Sequence, residues 1–125
     1  MSIDIKDILA EDFQLATNSA LIRNRGLMDN LSKLGTSTAR LSRAITKAHT
    51  HCGCIDMSEK KLHGELCAQC RSVIEQEMGD LLFYTAGLCN TLGLSIYDVM
   101  LKEKQALGLL ANFSLQFRSD IVDAL

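Results

Sequence analysis

The sequence predicts an all-α fold, a helical bundle of four to five helices forming one domain over residues 1–125, and three observations carry that prediction. Proline is absent from the 125 residues, where average usage of about 5% would give about six. Apolar side chains recur at alternating three- and four-residue intervals. The breaks between these runs are short, so neighbouring helices should run mostly antiparallel. A chain of this length buries about two thirds of its unfolded surface, enough for one core.

Each element has its own signal. Ile5, Ile8, Leu9, Phe13, Ala16, Ala20 and Leu21 predict a first helix from about Asp4 to Arg23, with Ser2 or Asp4 as its cap. From Asp29 onward Leu31, Leu34, Thr38, Leu41, Ile45 and Ala48 repeat at intervals of 3, 4, 3, 4 and 3. That is the seam of a helix packed along another helix. The run HTHCGCIDMS then reads as a loop. A long third helix is expected from about Ser58 to Leu92, weakened by Gly64, Gly79 and Gly87 and prone to a break near Gly64. Gly93 is placed to end it. Ser95 should cap a fourth helix reaching about Leu110, with Asp98 completing a capping box and Leu94 stapled on Val99. The tail from about Ser114 carries a weaker helical pattern.

Charge and composition narrow the function. A net charge of -2 argues against nucleic-acid binding, which needs a strongly basic face, while a small nucleotide stays open as a ligand. The longest apolar runs, such as Leu81 to Leu88, fall short of the roughly 20 residues a bilayer requires, and the start MSIDIKDILAED is too acidic for a signal peptide. The expectation is a cytoplasmic protein without a membrane partner. Five cysteines without a secretory signal point to thiols, buried or metal-bound, more than to a disulfide framework.

The run EQEMGDLLFYTAGLCN sets Glu75, Glu77 and Asp80 directly before an apolar stretch. With Val73, Leu81, Tyr84 and Leu88 at helical spacing, Glu77 falls on the same side of the helix and Asp80 lies one turn from Tyr84. A carboxylate buried there needs a cation, hydrogen bonds or water. From Ile74 to Met100 the chain resembles the MazG-like family of the all-α nucleoside triphosphate pyrophosphohydrolases. The shared features are Glu77-x-x-Asp80, the Leu-Leu-Phe-Tyr that follows, the Leu92-Gly93-Leu94 break and the apolar start of the next helix. LGTSTARLSRAITKAHTHCG looks like the family's preceding helix, so the resemblance covers roughly residues 30 to 104.

The resemblance implies a homodimer or homotetramer of helical bundles that binds magnesium through an ExxE pair and an ExxD pair and cleaves a nucleoside triphosphate to the monophosphate and pyrophosphate. Glu77 and Asp80 carry over as catalytic, Mg-binding residues; hard Mg²⁺ takes such oxygen ligands and activates water. The ExxE half does not carry over. In the best register Ser37 and Arg40 stand in its place, in slightly shifted registers Lys33 and Thr36 or Asn30 and Lys33, and the one acid between Asp12 and Asp56 is Asp29. Two missing carboxylates, with Arg40, Arg43 and Lys47 close by, disfavour a divalent cation and leave enzymatic activity unassigned. Arg40 is expected instead to reach across to Glu77 or Asp80. The other route to activity draws the missing ligands from Glu75, Glu59, Glu65 or a second subunit. Arg40 and Lys47 are candidate phosphate-chain contacts and Tyr84 a base-stacking one, although a row such as Lys33, Arg40, Arg43 and Lys47 is more often a solvated face. Met57, Met78 and Met100 read as core filler.

A separate cluster, His49, His51, Cys52, Cys54, His63, Cys67 and Cys70, follows the second helix. Cys52-x-Cys54 and Cys67-x-x-Cys70 can bring four thiolates to one zinc. Against this stands the plainer reading of Cys67, Cys70 and Cys89 as small apolar residues of a packed helix face. The alternative to a nucleotide pyrophosphohydrolase is therefore a non-catalytic helical interaction module, stabilised by zinc.

Overall fold

The computed structural model describes residues 5–20, 26–60, 62 and 64–109. All of its regular structure is helical, with no strand among the described residues: α1 spans Ile5–Ala20, α2 Leu27–Lys47, α3 Ala68–Leu92 and α4 Ile96–Leu109. The helix expected from Ser114 lies outside the described residues.

α2 does not stop where the sequence pattern breaks. It runs on through a π-helical turn, Ala48–Cys52, closed when the Gly53 N–H donates to the Ala48 carbonyl at 2.8 Å. Gly53 sits at φ 78°, a left-handed conformation that favours glycine. The loop expected from His49 therefore begins four residues later.

α3 starts ten residues after the expected Ser58, and local chemistry explains why. The Asp56 carboxylate accepts from the Ser58 N–H at 3.0 Å and from its hydroxyl at 2.8 Å, a side-chain turn that competes with helix. Gly64 at φ 87° is incompatible with an α-helix. Cys67, extended at φ -63° and ψ 156°, is the cap from which α3 begins.

α3 ends as expected. Gly93 adopts φ 69° and the Leu94 N–H reaches back to the Cys89 carbonyl at 2.8 Å, a Schellman closure. Ser95 Oγ then accepts from the Asp98 N–H at 3.2 Å and caps α4.

α2 and α3 pack antiparallel and form the most extensive helix pair. At one end the Asn30 amide donates to Thr91 Oγ1 at 3.0 Å; at the other, Cys52 meets Cys67. The buried line of α2 and its π turn is Asn30, Ser37 and Ala48, with Leu34, Leu41, Ala44 and Ile45 half-buried, while Leu31 stays 58% exposed. The seam is thus rotated by about one residue from the apolar repeat. Small side chains explain the shift: Asn30 lies against Gly87, where an added Cβ would come within 3.2 Å of its Oδ1. The helices approach closely along small residues and leave the leucines on the shoulder.

α1 is fastened by polar contacts as much as by apolar ones. The Gln14 amide donates to Asn90 Oδ1 at 3.0 Å and to the Leu94 carbonyl at 2.7 Å, and its Oε1 accepts from the Ile96 N–H at 2.7 Å. Asn90 returns bonds to the Gln14 carbonyl and to Thr17 Oγ1, both at 3.2 Å. Beside this network Ala86, Cys89 and Ile96 form a small buried cluster, with Ala10 packed on it.

Candidate metal centre

Four cysteines converge where α2 and α3 meet. Cys52 is the last residue of the π turn, Cys54 follows the Gly53 bend, Cys67 caps α3 and Cys70 lies in its first turn. The sequence places two of them on each side of a twelve-residue connection; the antiparallel packing of the two helices brings the pairs together. Their sulfurs all lie within 4.8 Å of one another. Cys52 Sγ and Cys67 Sγ are 3.7 Å apart, close to the about 3.8 Å edge that follows from a zinc–sulfur distance of about 2.3 Å in a tetrahedron. Such a group can hold a metal ion.

The surroundings suit thiolates. Cys67 Sγ accepts from the Cys70 N–H at 3.4 Å at the N-terminus of α3, where backbone donors and the helix dipole favour negative charge. That contact first, then the neighbouring Cys70 and Cys52 thiols, brings the Cys67 thiol down to about 7. Cys70 is pushed the other way, to about 12, mainly by its hydrogen bond with Cys67 and next by burial. Cys52 is raised as well, again chiefly by Cys67. The helix terminus stabilises one thiolate, and further ionisation crowds negative charge that a cation would relieve. Cys54 Sγ points to the Ala48 carbonyl at 3.9 Å.

Of the nearby histidines, His49 Nδ1 accepts from the Met57 N–H at 3.3 Å and His51 Nδ1 contacts Thr50 Oγ1 at 2.8 Å, so both serve the local backbone and side chains. His63 lies outside the described residues. Cys89 is 6% exposed and belongs to the apolar cluster, its thiol pushed up by burial, as the plainer reading of that residue expected. The same reading fails for Cys67 and Cys70, which point to the thiol group at the head of α3 instead of into a packed mid-helix face.

The acidic half-site lies further along α3. Glu77 sits between Ile74 and Leu81 on the half-buried side of the helix, and its Oε2 is buried without a hydrogen-bond partner among the described residues. Asp80 accepts from Gln76 Nε2 at 3.1 Å. Arg40 and Lys47 are both exposed on α2, and no ion pair joins Arg40 to Glu77 or Asp80 among the described residues. The expected Arg40 bridge is therefore not formed. α2 turns Ser37 to the interior and leaves Arg40 on its solvent side, where hydration competes with a carboxylate. Glu75 faces Arg71 at 4.0 Å, and among the described residues no third acid joins Glu77 and Asp80 in a metal-sized group. Tyr84 packs edge-on to Phe83, ring centres 5.1 Å apart.

One feature escaped the sequence pattern. A cavity of about 410 Å³ lies beneath the α2–α3 connection, lined by Ile45, Ile74 and Met78 from the helices and by Ile55, Leu62 and Leu66 from the connection, with Asp56, Met57, Glu59 and Lys60 beside them. Met57 and Met78 line it at about half exposure, and Met100 is 56% exposed, so none of the three is core filler. The signal for the cavity lay in the apolar Ile55, Leu62 and Leu66, read instead as parts of a loop and a helix.

Comparison with family models, curated proteins and solved structures finds no match. Among the described residues no helix is long and apolar enough to cross a membrane.

Proposed function

We propose that this chain is a zinc-stapled helical interaction module of MazG-like type, working by binding and carrying only half of a magnesium site. The observation that supports the reading best is the convergence within 4.8 Å of four sulfurs from the end of the π turn, the bend after it and the start of α3. Zinc is the metal that suits such a set, since four thiolates in a closed tetrahedron form a structural site with no position left for substrate. The large exposed apolar residues along α2, Leu27, Met28 and Leu31, favour a second copy of the chain as its first partner. Metal analysis of freshly purified protein should find about one zinc per chain; less than about half an equivalent removes the proposal.

A second reading keeps the nucleotide chemistry: a nucleoside triphosphate pyrophosphohydrolase-type protein in which Glu77 and Asp80 hold magnesium, Arg40 and Lys47 hold phosphates and Tyr84 stacks on the base. Its support is the Glu77 Oε2, a buried acceptor without a hydrogen-bond partner among the described residues, as a ligand for a hard cation is before loading. Against it stands the absence of any second acid pair on α2. Thermal shifts with each common triphosphate separate the two, because a ligand at 100 times its Kd stabilises by about 2.7 kcal/mol. The module reading expects no magnesium-dependent shift and no steady pyrophosphate release. A shift that requires Mg²⁺, with turnover lost in Glu77→Gln, would reverse the order of the two readings.

A further inference from the structure

We infer that the thiol centre is also an oxidative modification site, at which a peroxide joins Cys52 to Cys67 in a disulfide and expels the metal, the new bond holding the α2–α3 connection closed in the metal's place. The inference rests on the zinc reading above.

Geometry selects the pair. Cys52 and Cys67 have their sulfurs 3.7 Å apart and come from different helices. Cys52 is exposed, whereas Cys54, Cys67 and Cys70 are all partly covered, so a small oxidant in solvent meets Cys52 first. Bonds within Cys52-x-Cys54 or Cys67-x-x-Cys70 would leave the two helices untied. A bond from Cys52 to Cys67 spans the whole connection, which lines the cavity.

The chemistry balances in two displacements. The Cys52 thiolate attacks one peroxide oxygen, the O–O bond breaks, hydroxide leaves and Cys52 becomes a sulfenic acid. The Cys67 thiolate then attacks the Cys52 sulfur, the S–S bond forms and a second hydroxide leaves. Two thiolates have lost two electrons, both peroxide oxygens have been reduced, and two protons from solvent convert the hydroxides to water. With Cys52 and Cys67 joined, only Cys54 and Cys70 would remain to hold a zinc ion, too few for a closed four-thiolate site.

The test uses the full chain in parallel with Cys89→Ser, which removes the buried fifth thiol from the mapping; wild type alone suffices if that variant folds poorly. Reduced, metal-loaded protein is titrated with hydrogen peroxide while a chromogenic chelator reports zinc, and disulfides are mapped without reduction. One zinc should be released per Cys52–Cys67 disulfide. The oxidised form should melt several degrees above reduced protein stripped by chelator, and thiol reductant with zinc should restore the starting state. Disulfides at Cys52–Cys54 or Cys67–Cys70, sulfinic acid without a disulfide, or zinc retained beside a Cys52–Cys67 bond would each overturn the inference. Lack of metal in the untreated protein overturns the zinc reading and the release step, while the mapping still reads whether Cys52 and Cys67 pair.

Discussion

Gln14 ties α1 to the α3–α4 turn through three long-range side-chain hydrogen bonds among the described residues. Its amide serves the end of α3, the Leu94 carbonyl and the first N–H of α4 at once. Gln14→Ala leaves the backbone N–H of the buried Ile96 without its side-chain acceptor and should cost about 1–3 kcal/mol, the range for an unsatisfied buried group, as read by urea unfolding. Two glycines of α3 offer a matched contrast. Gly79 has open space where a Cβ would project, so Gly79→Ala should gain about 1 kcal/mol from helix propensity alone. At Gly87 the same methyl meets Asn30 Oδ1 at 3.2 Å, and Asn30 is fully buried and tied to Thr91. Gly87→Ala should therefore forfeit that gain and destabilise, a difference that thermal melts of the two variants resolve. None of this was legible in the sequence, where Gln14 is one polar residue of an amphipathic helix and the two glycines look alike.

At the scale of elements, the helix boundaries follow local rules except around the thiols. Gly93 and Ser95 end α3 and cap α4 as their types dictate. α3 begins late because Asp56, Ser58 and Gly64 satisfy or twist the backbone away from helix before Cys67 can cap it. The cap is then also one of the four candidate ligands, so on the zinc reading the first turn of α3 is coupled to the metal. Stripping zinc with a chelator should speed amide exchange between about residues 53 and 70 while leaving α1 and the α3–α4 turn protected. Cys52→Ser or Cys70→Ser should lower bound zinc from about one equivalent to less than half and produce the same exchange pattern without chelator; uniform loss of protection across the chain would show the site to be part of the global core instead.

Across the whole molecule, few side chains hold the described residues together. Ala48, Ile74, Ala86, Cys89 and Ile96 are the buried hydrophobics among them, while Leu15 is 67% and Met28 85% exposed. On the proposed reading, the thiol staple and association with a second copy supply stability that so sparse a core among the described residues does not. Sedimentation equilibrium should therefore find a dimer or larger assembly, and Leu31→Lys, a charge on the exposed shoulder of α2, should shift it toward monomer without loss of zinc. A monomer at all concentrations in the unmutated protein would count against a second copy as the partner.

By itself the sequence determined the helical class, the order of four helices and the Gly93–Ser95 turn, and it marked the four cysteines as a candidate metal-binding set, because each rests on backbone propensity, periodicity or spacing within a short stretch. Only the tertiary structure decided which face of α2 is buried, that Arg40 stays in solvent, that the α2–α3 connection lines an apolar hollow, and that Cys52 Sγ comes within 3.7 Å of Cys67 Sγ. These depend on how closely two helices approach and at what rotation. That is set by the sizes of facing side chains, Asn30 against Gly87 above all, and no periodicity along one chain segment contains it.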